Sequence, residues 1–283
     1  MIEWPKPLVE DLAAKKVAVY LGGGVSKNAS GNGGARPPLW AELLKSAKEE
    51  CGNAGTRHIA AALKDNDLLH ACEWLQKKMD ERWVPFLREQ LIDPQFQPAE
   101  IHKHILNLDQ RIYLTPNLDG IFENYVQTVT GGTAIIKRHS DADAHQFLRD
   151  RNLYVVKVHG SLDAAHNLIF TRREYAEARI RYGAFYEALS ACILSHTVLF
   201  LGCGIEDPDV ALLLEKHNFS FPHSRPHYFV TSSKMPPDMR DSLRGNRNLK
   251  CLTYDPQNHH AELTESLAEL VSRLEAERLS HPS

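Results

Sequence analysis

Eight short apolar runs, none longer than six residues, punctuate the sequence, and longer amphipathic segments separate them. They are Val17–Leu21, Ile112–Thr115, Ala134–Lys137, Val155–His159, Leu168–Thr171, Val198–Gly202, Tyr228–Thr231 and Leu249–Tyr254. Several are β-branched and apolar at successive positions, which suits strands buried on both faces. Such strands alternating with helices build parallel sheets through βαβ crossovers. The pattern predicts an α/β, Rossmann-like fold, with a mainly parallel sheet and helices on both faces. Between Trp40 and about Leu108 no strand pattern occurs. There Leu43, Leu44 and Ala47 recur at helical spacing, as do Leu68, Leu69, Cys72, Trp74 and Leu75,. We read this as a helical insertion at about 40–108 within one domain spanning 1–283. An amphipathic helix from about Ala261 to Leu274 closes the chain, and 275–283 reads as a polar, disordered tail.

Composition narrows the function classes. The 283 residues include 33 Lys+Arg against 36 Asp+Glu, a net charge of −3, which argues against a surface built to coat nucleic acid,. The longest charge-free stretch, Ala188 to Ile205, contains Ser190, Ser195, His196, Gly202 and Gly204. It reads as a helix end feeding a buried strand, so no membrane span is expected. The opening MIEWPKPLVEDL has acids and no apolar signal core, so no export is expected either,. Five scattered cysteines, an odd number, fit a reducing cytoplasm,. None lies within four residues of another, so the paired thiolates of a structural zinc site are missing and no metal is expected,.

The chemistry concentrates at strand ends. Val17–Leu21 runs into Gly22-Gly23-Gly24-Val25-Ser26, with further glycines at Gly31, Gly33 and Gly34. Glycines there let backbone amides approach a pyrophosphate, with the Ser26 hydroxyl as an added donor; a glycine-rich surface turn is the alternative. No Gly-Lys-Ser/Thr follows, which excludes a Walker loop. The acidic ribose ligand that a dinucleotide dehydrogenase carries ~20 residues on is also missing, because Glu42 to Glu50 is helical in pattern,. Three other strands end in Thr115-Pro116-Asn117-Leu118-Asp119, in Val158-His159-Gly160-Ser161, and in Gly202-Cys203-Gly204-Ile205-Glu206-Asp207-Pro208-Asp209. A parallel sheet brings such ends to one edge, where ligands of open α/β folds bind. Asn117, Asp119 and Asp207 can also be read as helix caps, Asp119 more readily than Asn117. Among the 15 histidines, His159 stands out because a strand precedes it and Gly160 leaves room beside the imidazole.

Taken in order, these motifs resemble the sirtuin-like proteins of bacterial antiviral defence. Tyr20-Leu21-Gly22-Gly23-Gly24-Val25-Ser26 and then Pro38-Leu39-Trp40-Ala41-Glu42-Leu43-Leu44 resemble that family's opening. Thr115–Asp119 and Val156–Ser161 look like its catalytic pair of motifs, and Phe200–Gly204 with Asp207-Pro208-Asp209 fits as well. The resemblance implies NAD+ as substrate. Gly22, Gly23, Gly24 and Ser26 would hold its pyrophosphate, Asn117 and His159 would flank the nicotinamide ribose, and Asp119 would lie near the carboxamide. Gly202 and Gly204 would support the adenosine side. Pro116 replaces the glutamine of protein-deacylating sirtuins, and the zinc ribbon of those enzymes is absent.

The expected activity is NAD+ hydrolysis to ADP-ribose and nicotinamide, with His159 as general base and Asn117 orienting water and ribose. The alternatives are a non-catalytic NAD or ADP-ribose sensor and an NAD-dependent protein deacylase. A drain on NAD+ needs control, and related systems imply abortive-infection defence under a regulatory partner or self-assembly. A HerA-type ATPase is the preferred partner and a short argonaute the second. A homo-oligomer is also expected, with Trp4, Trp74, Trp83 and Phe86 either anchoring subunit contacts or lying in the core.

Overall fold

The computed structural model describes residues 1–204 and 207–280. An amphipathic helix (α1, Lys6–Ala13) precedes the first strand (β1, Val17–Leu21), which passes directly into a single helical turn (α2, Gly23–Ser26). The α-helices α3 (Trp40–Glu50), α4 (Arg57–Lys64), α5 (Leu68–Met79), α6 (Trp83–Leu91) and α7 (Glu100–Asn107) fill the segment before the second strand. The alternation then begins with β2 (Ile112–Thr115), α8 (Ile121–Val129), β3 (Ile135–Arg138) and β4 (Tyr154–Lys157). Two helices, α9 (Arg172–Arg181) and α10 (Gly183–Ser195), lead to β5 (Thr197–Leu201). After it come α11 (Pro208–Ser220), β6 (His227–Ser232), α12 (Pro237–Arg247), β7 (Leu249–Tyr254) and α13 (Gln257–Ser280).

The seven strands form one sheet in the order β3-β4-β2-β1-β5-β6-β7, and every pairing is parallel. This is the Rossmann-like α/β architecture that the alternating pattern predicts. Central β1 is buried along its whole length, and its side chains alternate between two cores. Val17, Val19 and Leu21 pack with residues of α1, α7, α8 and α13. Ala18 and Tyr20 pack with Phe185 and Leu189 of α10 and with Val210 and Leu214 of α11. Leu263, Leu267, Leu270 and Leu274 recur every three or four residues along α13 and are all buried. Each such leucine stabilises the fold by about 1.5–3 kcal/mol, so the closing helix is a structural wall.

Helices α3–α6 form a third core. Leu43, Leu44, Leu75, Trp83, Phe86 and Leu87 pack there against Leu118, beyond β2, and against Leu162, Leu168 and Phe170, beyond β4. Helices α3–α6 therefore stand over the carboxyl edge of the sheet, where the polar strand ends emerge, whereas α7, within the expected insertion, packs with Val17, Val19 and Leu21.

Several expectations are corrected. Leu168–Thr171 is not a strand. Leu168, Ile169 and Phe170 are buried without a ladder, Phe170 stacking on Trp40 with centroids 4.7 Å apart. Thr171 instead caps α9: its Oγ1 accepts from the Glu174 amide (3.2 Å), and Glu174 Oε2 accepts from the Thr171 and Phe170 amides (2.9 and 2.8 Å). This is a capping box, whose Thr-x-x-Glu signature competes with the apolar run that looked like a strand. Trp4, Trp83 and Phe86 are 3%, 3% and 1% exposed, which removes them as anchors for subunit contacts, while Trp74 is half-buried. Helix α13 continues to Ser280, past Leu274. Ile205, Glu206 and residues 281–283 of the expected tail lie outside the described residues. No helix among the described residues is long and apolar enough to cross a membrane.

Candidate active site

Register fixes which polar residues meet. Tyr20 pairs with Leu114, Thr115 with Lys157, and Leu21 with Leu201. Past these pairs Gly23, Asn117, His159 and Cys203 emerge at one edge of the sheet, each two residues beyond the end of β1, β2, β4 or β5. Hydrogen bonds hold Asn117 in place. Thr115 Oγ1 donates to the Leu21 carbonyl (2.9 Å) and accepts from the Asn117 amide (3.1 Å). Asn117 Nδ2 then donates to Ser26 Oγ (2.9 Å), which is buried. This bond leaves the Asn117 carbonyl oxygen as an acceptor. That oxygen lies 4.0 Å from where a side chain on Gly23 would begin, so Gly23 keeps the space beside Asn117 clear.

Three other glycines make close backbone contacts. A Cβ on Gly22 would lie 2.4 Å from the Gly202 carbonyl oxygen, and one on Gly24 2.9 Å from it. The Gly22 amide donates to Leu201 O and the Gly24 amide to Gly202 O, both at 2.9 Å. Gly202 has φ +63°, and a Cβ there would meet the Val25 nitrogen at 2.5 Å. These three glycines thus form a backbone-to-backbone seam between the turns after β1 and β5. The amides of Gly22 and Gly24 are engaged by protein, which leaves Gly23 and Ser26 as the members of the turn nearest Asn117. Gly204 is exposed and borders residues 205–206.

His159 lies at the centre of a second network. Its Nε2 is 2.6 Å from Asp207 Oδ2 and 3.1 Å from the Tyr175 hydroxyl, which also donates to Asp207 Oδ2 (3.4 Å). Both members of the ion pair are largely enclosed, with side chains 12% and 13% exposed. Burial pushes the Asp207 carboxyl up, but the His159 imidazole and the Val210 and Asp209 amides reverse this and hold it below the usual carboxylate range,. Neighbouring Asp209 accepts from Arg179 Nε (2.5 Å) and the Tyr186 hydroxyl (2.6 Å), and burial nonetheless raises its carboxyl. Tyr175 and Arg179 lie one turn apart on α9, so this helix is pinned to the start of α11 beside His159.

Asp119 shapes the turn into α8, whose N-cap position is Gly120: its Oδ1 accepts from the Ile121 amide (3.1 Å), and the residue is 5% exposed. Its carbonyl accepts from Lys157 Nζ (2.7 Å), and the same ammonium is paired with Glu123 on α8. Lys157 is 1% exposed, an uncommon position for a lysine, and its partners tie β4 to the turn that carries Asn117,. Burial raises the Glu123 carboxyl against the pull of Lys157.

The fold and these motifs agree with comparison to known proteins. A family model described as "SIR2-like domain" matches residues 111–252, half of the chain. The chain belongs to the SIR2-like family. The matched span contains Asn117, Asp119, His159, Gly202 and Gly204, whereas the turn from Gly22 to Ser26 lies before it. Curated relatives of this SIR2-like chain include three proteins named NAD(+) hydrolase ThsA. That of Acinetobacter baumannii (strain 532279) is 26% identical over 79% of this chain and 44% of its own length. That of Enterococcus faecium is 23% identical over 92% and 50%, and that of Cytobacillus dafuensis 27% over 76% and 40%. The chain spans about half the length of the relatives it matches.

Tyr175, against His159 and Asp207, escaped the sequence reading of this SIR2-like site, as did two other features. Asp207 was legible as a cap but not as the partner of His159, because the two are brought together only by the fold. His139, one residue past β3, is 1% exposed; its Cε1 lies 3.4 Å from where a side chain on Gly160 would begin, and its ring stands edge-on to Tyr182. Among the described residues neither of its ring nitrogens has a hydrogen-bond partner. Burial, with His159 nearby, pushes its imidazole down to about 4. The five cysteines are free thiols, and among the described residues no group of three or more His, Cys, Asp or Glu is placed to hold a metal ion.

Proposed function

We propose that the chain is an NAD+ glycohydrolase that cleaves NAD+ to ADP-ribose and nicotinamide. The observation that carries this reading is that Gly23, Asn117 and His159 each emerge two residues past the carboxyl end of three adjoining strands. That juxtaposition supplies a neutral amide, an imidazole and an open glycine where a nicotinamide ribose can lie. The names of the relatives support the same chemistry.

The glycosidic bond is weakened by the pyridinium charge, which is discharged when the bonding electron pair leaves with nicotinamide. Its transition state resembles an oxocarbenium ion, so the protein has to orient the ribose and a water rather than activate the leaving group. Asn117 is suited to hold water and a ribose hydroxyl through its free carbonyl oxygen. His159 is suited to take the proton that the attacking water or hydroxyl releases. Gly23 and Ser26 would line the pyrophosphate side together with Gly22 and Gly24, Gly202 and Gly204 would support the adenosine side, and Asp119 would lie near the carboxamide. On this reading the chain is a single sirtuin-like domain, 1–283, with its helical insertion forming the far wall. It would act in the cytoplasm as the effector of an abortive-infection defence, as a homo-oligomer or under a partner such as a HerA-type ATPase.

Incubation with NAD+ and chromatography of the products tests the reading. Free ADP-ribose and nicotinamide, formed without any peptide, are expected. NAD+ binding without products would favour a sensor, and turnover that requires an acyl-lysine peptide would favour a deacylase.

A further inference from the structure

We propose that Asp207, through its second carboxylate oxygen, is the positioning residue that sets the tautomer and orientation of the His159 imidazole. The inference rests on the hydrolase reading for its catalytic consequence and on geometry for the pairing itself. The two oxygens of Asp207 divide their work. Oδ1 accepts from the Asp209 and Val210 amides, both at 3.0 Å, and so caps α11. Oδ2 makes no capping bond; it faces His159 Nε2 at 2.6 Å and the Tyr175 hydroxyl at 3.4 Å. A cap needs only one oxygen, so capping alone does not account for the second contact.

The pairing has a chemical consequence. An ionised carboxylate only accepts hydrogen bonds, so the nitrogen facing it carries the proton. Neutral His159 is therefore the Nε2–H tautomer, and its basic lone pair sits on Nδ1. During hydrolysis the water oxygen bonds to the ribose carbon, the carbon–nitrogen bond breaks, and the electron pair leaves with nicotinamide. The proton released from water passes to Nδ1. The resulting imidazolium then stands beside the Asp207 charge, where it is stabilised in a largely enclosed site. Tyr175 and the Asp209–Arg179–Tyr186 cluster keep the start of α11 in place, so the carboxylate is held where the imidazole requires it.

Asp207→Asn separates the two roles, because asparagine caps helices as well as aspartate but carries no charge for His159. The full chain is compared with this variant in two measurements. Side-chain proton–nitrogen correlation spectra report which nitrogen of His159 is protonated, and NAD+ hydrolysis gives kcat and KM. The expected results are a melting temperature within about 2 °C of the parent, loss of the single Nε2–H tautomer, and a kcat about tenfold or more lower at nearly unchanged KM. Asp207→Glu, which restores the charge, should recover part of the loss. An unchanged tautomer with unchanged kcat would overturn the proposal. Should the parent consume no NAD+, the hydrolase reading fails while the spectra still decide the pairing. Should Asp207→Asn fail to fold, the parent spectrum decides alone, and a proton resident on Nδ1 would refute it.

Discussion

His139 shows how a single buried group ties this protein to pH. Enclosed beside Gly160 and Tyr182, it stays neutral in the folded chain down to about 4, and burial holds His227 down to about 4 as well. In the unfolded chain both take a proton below the ordinary imidazole value of about 6.5. The unfolded state therefore binds more protons as pH falls through this window, and stability is lost between about 6.5 and 4. By pH 5 each histidine costs about 2 kcal/mol relative to neutral pH. Urea unfolding at pH 7.5 and pH 5 should show that loss, and His139→Phe, which suits the ring contacts with Tyr182 and Phe185, should make it smaller. An identical pH dependence in the variant would contradict the assignment. Nothing in the sequence marks His139, since one histidine among 15 carries no local sign of enclosure. His159 was legible because a strand end and a glycine flank it.

At the scale of elements, the seam between the turns after β1 and β5 is the most demanding contact. The glycine cluster was visible in the sequence, but the seam it forms was not. A run of glycines beside a strand looks the same whether it makes room for a ligand or for another backbone, and only the parallel pairing of β1 with β5 distinguishes them. Gly202→Ala tests the seam. The left-handed backbone alone costs a non-glycine residue about 1–2 kcal/mol. The added methyl also meets the Val25 nitrogen and would displace the turn that carries Ser26. A melting temperature about 4 °C or more lower is expected, together with reduced NAD+ turnover, because Ser26 holds Asn117. A variant as stable and as active as the parent would show that the seam tolerates a side chain. The strands themselves were readable from β-branched runs. The exception, Leu168–Thr171, is buried by the helical insertion rather than by a neighbouring strand, and composition cannot tell the two kinds of burial apart.

For the whole molecule, one parallel sheet converts distant segments into neighbours. The glycine turn, the Asn117 turn and His159 come from three separate regions of sequence, and they adjoin because β1, β2 and β4 are consecutive in the sheet. The helical insertion closes the same edge by packing on Leu118, Leu162, Leu168 and Phe170. The sheet order, the seam and the route by which Asp207 reaches His159 are properties of long-range pairing, which local pattern does not encode. The most direct measurement is the rate of NAD+ consumption by purified His159→Ala beside the parent, with NAD+ binding measured on both. A rate about 100-fold or more lower with binding retained is predicted, as removal of a general base requires. Hydrolysis by the variant at the parental rate would contradict the role given to this edge of the sheet.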